Sequence, residues 1–288
     1  MKTTSENNEK VNALNSKIQF AESNGRKIAY RSIGQGAPII LANRFRGTLD
    51  VWDPAFLDNL AKKHTVITFD YSGLASSTGP AGKTILDFAN DIRDLAEALG
   101  YKKAIAAGWS FGGFAAQVAV TEYPELFSHA ILIGTNPPGQ NEHQIEEIFF
   151  EVSRKPTYTV DDEAILFFEP TSESSKEAAQ QSRDRIAQRT VDLDSRIPEE
   201  LWEHFTFGVM DYVADPTNAR EKLLHSKTPI LVLTGDHDVC FPAENWYALT
   251  RKLPTTHLIL FPQAGHGPQH QFPKLAAKYI TDFIKQTK

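Results

Sequence analysis

The sequence predicts an α/β domain: a mostly parallel sheet of eight strands with helices on both faces and one long helical interruption. Three observations carry that prediction. Short β-rich apolar runs alternate with amphipathic segments from residue 37 onward, the alternation breaks off over residues 137–225, and it resumes in the same style at residue 228.

A hairpin comes first. KIQFAE (17–22) and KIAYRS (27–32) alternate apolar and polar residues across Asn24-Gly25, a pair suited to the left-handed positions of a tight hairpin turn. After a second turn at Gly34-Gln35-Gly36, APIILA (37–42) reads as a buried strand, DPAFLDNLAKK as a helix and TVITFD (65–70) as a strand. TILDFANDIRDLAEALG (84–100) has helical spacing and a terminal glycine. KKAIAA (102–107) is a further buried strand, GFAAQVAVTEY a helix and HAILIG (129–134) a strand. Strands joined through helices imply parallel neighbours covered on both faces.

Past Asn136-Pro137-Pro138-Gly139 the chain turns helical and polar, without a buried strand, as an inserted cap would be. The earlier pattern returns with TPILVLTGD (228–236), a helix near ENWYALTRKL, the strand THLILF (256–261) and a closing helix over 272–286. The expected organisation is therefore a flexible segment 1–16, a core of 17–136 and 226–288, and a helical cap of 137–225.

Composition limits the function classes. With 288 residues, 41% of them apolar, the chain can bury one large core. Its net charge of −6 is spread over interspersed signs, and no basic run tracks a phosphate backbone, so nucleic acid is not an expected partner. Cys240 is the single cysteine, which rules out an internal disulfide and argues against a cysteine metal site. No apolar signal opens the chain and no run reaches spanning length; a soluble cytoplasmic protein without a membrane partner is expected. No heptad seam marks an oligomer interface.

The chemistry centres on AAGWSFGGFAAQ (106–117), where glycines 108, 112 and 113 surround one serine. A serine on an ordinary helix needs no such space. Placed between a strand and a helix, G-x-S-x-G suits a cramped, strained turn that presents the hydroxyl of Ser110 at the C-terminal edge of a sheet. The plainer alternative is a small-residue turn, so partner residues must decide.

A serine alcohol needs a base at neutral pH, and histidine is the usual one. His266 lies in AGHG (264–267), a glycine-flanked loop directly after the last strand, with His270 as the fallback. The histidine needs a carboxylate to hold its tautomer and stabilise its charged form. LVLTGDHDVCFP offers Asp236 and Asp238 at a strand end; Asp238, further out on the loop, is preferred, and Asp236 is assigned to the turn. Neither a metal nor an organic cofactor is required.

Through GWSFGG, GDHDVCFP, AGHG, DYSGLASST after strand 65–70 and the insertion before residue 226, the chain from about residue 17 to its end resembles the α/β-hydrolase superfamily, in its capped, serine-nucleophile form. The resemblance implies an oxyanion hole made by the backbone amides of Phe45 and Phe111. Two departures stand out. LANRFRGTLDVW carries Asn43-Arg44 where many members carry His-Gly, with Asn43 available as a replacement hydrogen-bonding group, and Ala75 occupies a common glycine position.

Arg44, Arg46 and Trp109 are the substrate-binding candidates. A guanidinium near the mouth suits a carboxylate, whereas the plainer reading of both arginines is a solvated face or an ion pair with Asp50 or Asp53. Arg183, Arg185 and Arg189, at helical spacing in the cap, face the same choice, and a solvated face is the expected reading. Trp109, Phe111, Phe45 and Trp52 either wall a pocket or pack the core. The expected activity is hydrolysis of an ester, thioester or lactone of a small molecule through an acyl-enzyme. Within the same fold, carbon–carbon bond hydrolysis and cofactor-free haloperoxidase or perhydrolase chemistry compete with it. A small-molecule receptor is the alternative of another class, and an intact Ser-Asp-His set argues against it.

Overall fold

The computed structural model describes residues 11–287. β1 (Gln19–Ser23) and β2 (Arg26–Gly34) form the expected antiparallel hairpin, with Asn24 and Gly25 at φ of 51° and 77°. Then follow β3 (Ala37–Ala42), α1 (Pro54–Leu60), β4 (His64–Phe69), α2 (Ile85–Ala98), β5 (Ala104–Trp109), α3 (Phe111–Glu122) and β6 (Phe127–Ile133). The insertion contributes α4 (Glu147–Ser153), α5 (Val160–Phe167), α6 (Glu173–Ala187), α7 (Trp202–Ala214) and α8 (Ala219–Leu224). β7 (Ile230–Gly235), α9 (Glu244–Tyr247), β8 (Thr256–Phe261), α10 (Pro268–Gln271) and α11 (Pro273–Gln286) close the chain.

The eight strands form one sheet in the order β1-β2-β4-β3-β5-β6-β7-β8. Only the β1–β2 and β2–β4 pairs are antiparallel. Alternation along each strand feeds two cores. On β5, Ala104 and Ala106 join Phe88, Ile92 and Val118 of α2 and α3, while Ile105, Ala107 and Trp109 join Phe56 and Leu60 of α1 and Ile280 and Phe283 of α11. The insertion completes both layers. Phe205 and Tyr212 of α7 extend the first core, and Phe167 of α5 extends the second. No helix among the described residues is long and apolar enough to cross a membrane.

Local signals account for most element ends. Thr84 and Asp87 form a reciprocal capping box at the start of α2, and Asp53 caps α1 by accepting from the amide of Ala55 at 2.8 Å. Three expectations change. The strand read at 102–107 runs on to Trp109, because pairing with β6 continues to Trp109 opposite Ile133. The helix near 244–253 is a single turn, whereas the closing helix expected over 272–286 is present as α11, begun by Pro273. Of the segment expected to be flexible, residues 1–10 lie outside the described residues, whereas 11–16 are docked: Arg189 donates to the backbone oxygens of Ala13 and Ser16 and to the Ser16 hydroxyl.

Candidate active site

Ser110 stands between β5 and α3 at φ 59° and ψ −121°, a conformation that costs an L-residue free energy and persists only where the surroundings enforce it. Its amide donates to the oxygen of Ile133 at 2.8 Å, and its own oxygen accepts from the amide of Gly113 at 2.8 Å. The neighbouring glycines are explained by distance. A Cβ on Gly108 would stand 2.0 Å from the oxygen of Gly112, one on Gly112 would stand 2.1 Å from the oxygen of Ala42, and one on Gly113 would stand 2.6 Å from the Thr135 methyl. The turn closes only because all three side chains are absent.

His266 arrives on the loop after β8, and Asp238 on the loop after β7. Nδ1 of His266 lies 2.9 Å from Oδ2 and 3.0 Å from Oδ1 of Asp238, with both side chains buried. The carboxylate is itself held by the amides of Cys240 and Phe241, each 2.8 Å from Oδ1. Asp236 does the work expected of the turn residue: it pairs with His237 at 2.6 Å and accepts from the amide of Ala264. Trp109 donates its indole N–H to the backbone oxygen of His266 at 2.8 Å, tying the histidine loop to the end of β5.

Ser110 and His266 line one cavity of about 10 Å³, walled by Phe45, Phe149, Leu166 and Phe167. That is room for roughly a single water. His270, the fallback base, is elsewhere. It lies across Trp109, 4.6 Å between ring centroids, and its Nε2 accepts from the amide of Asp53 at 3.4 Å. Burial pushes its pKa down to about 4, with the Asp53 carboxylate pulling upward and Arg44 and Arg185 adding to the depression.

The loop after β3 is braced by Asn43, which is fully buried. Its Nδ2 donates to the oxygen of Phe69 at 2.8 Å, and its Oδ1 accepts from the Trp52 indole at 2.6 Å. Next to it, the guanidinium of Arg44 lies 4.7 Å from the centre of the Phe167 ring and 5.3 Å from that of Trp109. Phe111, as first residue of α3, keeps an amide with no acceptor within its own helix. Ala75 sits at φ 49°, where the common glycine would be free of strain, a cost of about 1 kcal/mol.

The remaining candidates separate in space. Arg46 turns away from the cavity: it donates to the backbone oxygens of Ser153, Lys155 and Pro156 and to the Tyr158 hydroxyl, and stacks 3.5 Å from the centre of Trp202. It therefore latches the insertion. The arginines read as a solvated face are ion-paired instead, because α6 lies against the core. Arg183 meets Glu163 at 3.0 Å, Arg185 meets Asp53 at 2.6 Å, and Arg189 approaches Asp50 at 3.9 Å. Trp52 and Phe111 belong to the cores, packed on Phe56 and Phe88 respectively. Phe149, Leu166 and Phe167 were not anticipated. Their only signal is an aromatic concentration, Phe149-Phe150 and Phe167-Phe168, in an otherwise polar insertion.

A strained serine at a strand–helix turn, sharing a cavity with a histidine bound to a buried aspartate, on a sheet of this order, defines the hydrolases of the α/β class. The chain belongs to that family: the model described as alpha/beta hydrolase fold matches residues 37–273. It is similar to the proline iminopeptidase PfmaB of Pestalotiopsis fici, 25% identical over 93% of this chain and 100% of that one. Similarity to the serine hydrolase BPHL of Homo sapiens is also 25%, over 91% of this chain and 84% of that one. An alpha/beta hydrolase fold protein from Chitinophaga pinensis superposes with a TM-score of 0.84 at 26% identity, covering 95% of this chain and 99% of that one.

Proposed function

We propose that the protein is a cofactor-independent serine hydrolase that cleaves an ester, thioester or lactone of a small molecule. The observation that carries the reading is the pairing of His266 with Asp238 at 2.9 Å beside the strained Ser110. With its Nδ1–H donated to the carboxylate, His266 is left with Nε2 as the base. It takes the proton as the Ser110 oxygen attacks the substrate carbonyl. The negative charge that develops is received by the amides of Phe45 and Phe111, a donor of this kind being worth about 3–4 kcal/mol of transition-state stabilisation. His266 then protonates the leaving group, and a water activated by the same nitrogen releases the acid and restores the serine.

Covalent labelling with a fluorophosphonate, read by intact mass, tests the reading without a chosen substrate. One stoichiometric adduct is expected on the native protein and none on Ser110→Ala or His266→Ala. An ester, lactone and dienone panel then separates acyl transfer from carbon–carbon cleavage. A well-folded native protein that takes no label would overturn the proposal in favour of a ligand-binding role.

A further inference from the structure

Most of the arginines that knit the core have a carboxylate partner. Arg31 meets Asp50 at 2.6 Å, and Arg185 meets Asp53 at 2.6 Å. Arg44 is different. Its Nη1 donates to the backbone oxygen of Phe45 at 2.7 Å, while its Nε is enclosed and has no acceptor among the described residues. The acid nearest in effect, Glu163, is already committed to Arg183 at 3.0 Å. Two aromatic faces, Phe167 and Trp109, offset part of the cost of holding this cation out of water. They supply no hydrogen-bond acceptor.

The position of Arg44 gives this unpartnered donor a use. Its side chain lines the cavity of Ser110 and His266 on one side and, on the other, a second cavity of about 150 Å³ whose walls include Trp109, Phe167 and two carboxylates that are each paired already, Asp50 with Arg31 at 2.6 Å and Glu163 with Arg183 at 3.0 Å. A volume near 150 Å³ accommodates a group about the size of benzene. A guanidinium with free donors donates to both oxygens of a carboxylate in a two-point fork, and in a site sheltered from water that contact is strong. We infer that Arg44 is the anchor for a carboxylate on the substrate, making this protein selective for small esters or related acyl compounds that carry a second, anionic carboxyl group. That the ligand is a substrate rests on the serine-hydrolase reading; that it is anionic rests on Arg44 alone.

The test reads binding without turnover. In the Ser110→Ala protein, titration calorimetry compares 4-nitrophenyl hemiglutarate with 4-nitrophenyl 5-methylhexanoate, in which an isopropyl group replaces the carboxylate. The hemiglutarate should bind at least tenfold more tightly. Adding Arg44→Gln should bring the two within about twofold, and Arg44→Lys should keep part of the preference, since a point charge attracts the anion but cannot form the fork. Equal or better binding of the isopropyl compound overturns the inference, as does an unchanged ratio after Arg44→Gln or no binding of the hemiglutarate. Failure of the serine-hydrolase reading shows separately, as absent fluorophosphonate labelling of native protein with the binding ratio intact.

Discussion

Acidification is expected to weaken this protein through His270, by an amount that follows from the surroundings of that side chain. The residue is 4% exposed, and its pKa is pushed down to about 4. In the unfolded chain the same imidazole takes up a proton below about pH 6.5. A depressed base of this kind favours the fold above its unfolded pKa, and the contribution is lost as pH falls toward the folded value. With folded and unfolded values of about 4 and about 6.5, linkage removes about 2 kcal/mol by pH 5 and about 3 kcal/mol by pH 4. For a chain of this length, 2 kcal/mol corresponds to about 3 °C in Tm. Urea unfolding of native and His270→Gln protein between pH 7.5 and pH 5 measures it. Glutamine can still accept from the Asp53 amide and does not titrate, while every other group titrates in both proteins. The native protein should therefore lose about 2 kcal/mol more than the variant over that range. Parallel curves, within about 0.5 kcal/mol, would refute the argument that burial keeps this imidazole neutral.

Other expectations bear on the site and its supports. Asp238→Asn should slow fluorophosphonate labelling of Ser110 by roughly 10³–10⁴-fold with an unchanged circular dichroism spectrum, and Asp236→Asn should slow it by less than about tenfold. Gly113→Ala brings a methyl to 2.6 Å from the Thr135 side chain, which should lower stability by about 1–3 kcal/mol in a denaturant titration. Arg46→Ala removes the contacts to the oxygens of Ser153, Lys155 and Pro156. Hydrogen exchange should then accelerate over residues 147–158 before it changes in β5 and β6.

Much of this fold was legible because its determinants act over a few residues. Hydrophobic period separates buried strands such as β5 and β7 from the amphipathic α2, and Asn24-Gly25 specifies its turn by backbone preference alone. The strained turn at Ser110 was legible for the same reason. Glycines at 108, 112 and 113 record a steric demand that neighbouring backbone makes on the chain, and His266 stands out by its loop directly after the last strand. Period does not say which strands become neighbours, so the placement of β4 between β2 and β3 emerged only in the folded sheet.

Charges behaved otherwise, because a charge is defined by what lies beside it in space. Asp236 and Asp238 share one loop, and only tertiary structure turns Asp238 toward His266 while Asp236 braces Ala264. Arg44 and Arg46 are two residues apart, yet one lines the serine cavity and the other latches the insertion. Arg185 finds Asp53 across 132 residues of chain. Local sterics and periodicity made the class of fold, and the serine and histidine of the candidate site, readable from the sequence. The partner of each charge and the shape of the cavity were decided by tertiary packing, since burial and electrostatic pairing depend on segments that meet only when the sheet and the insertion close together.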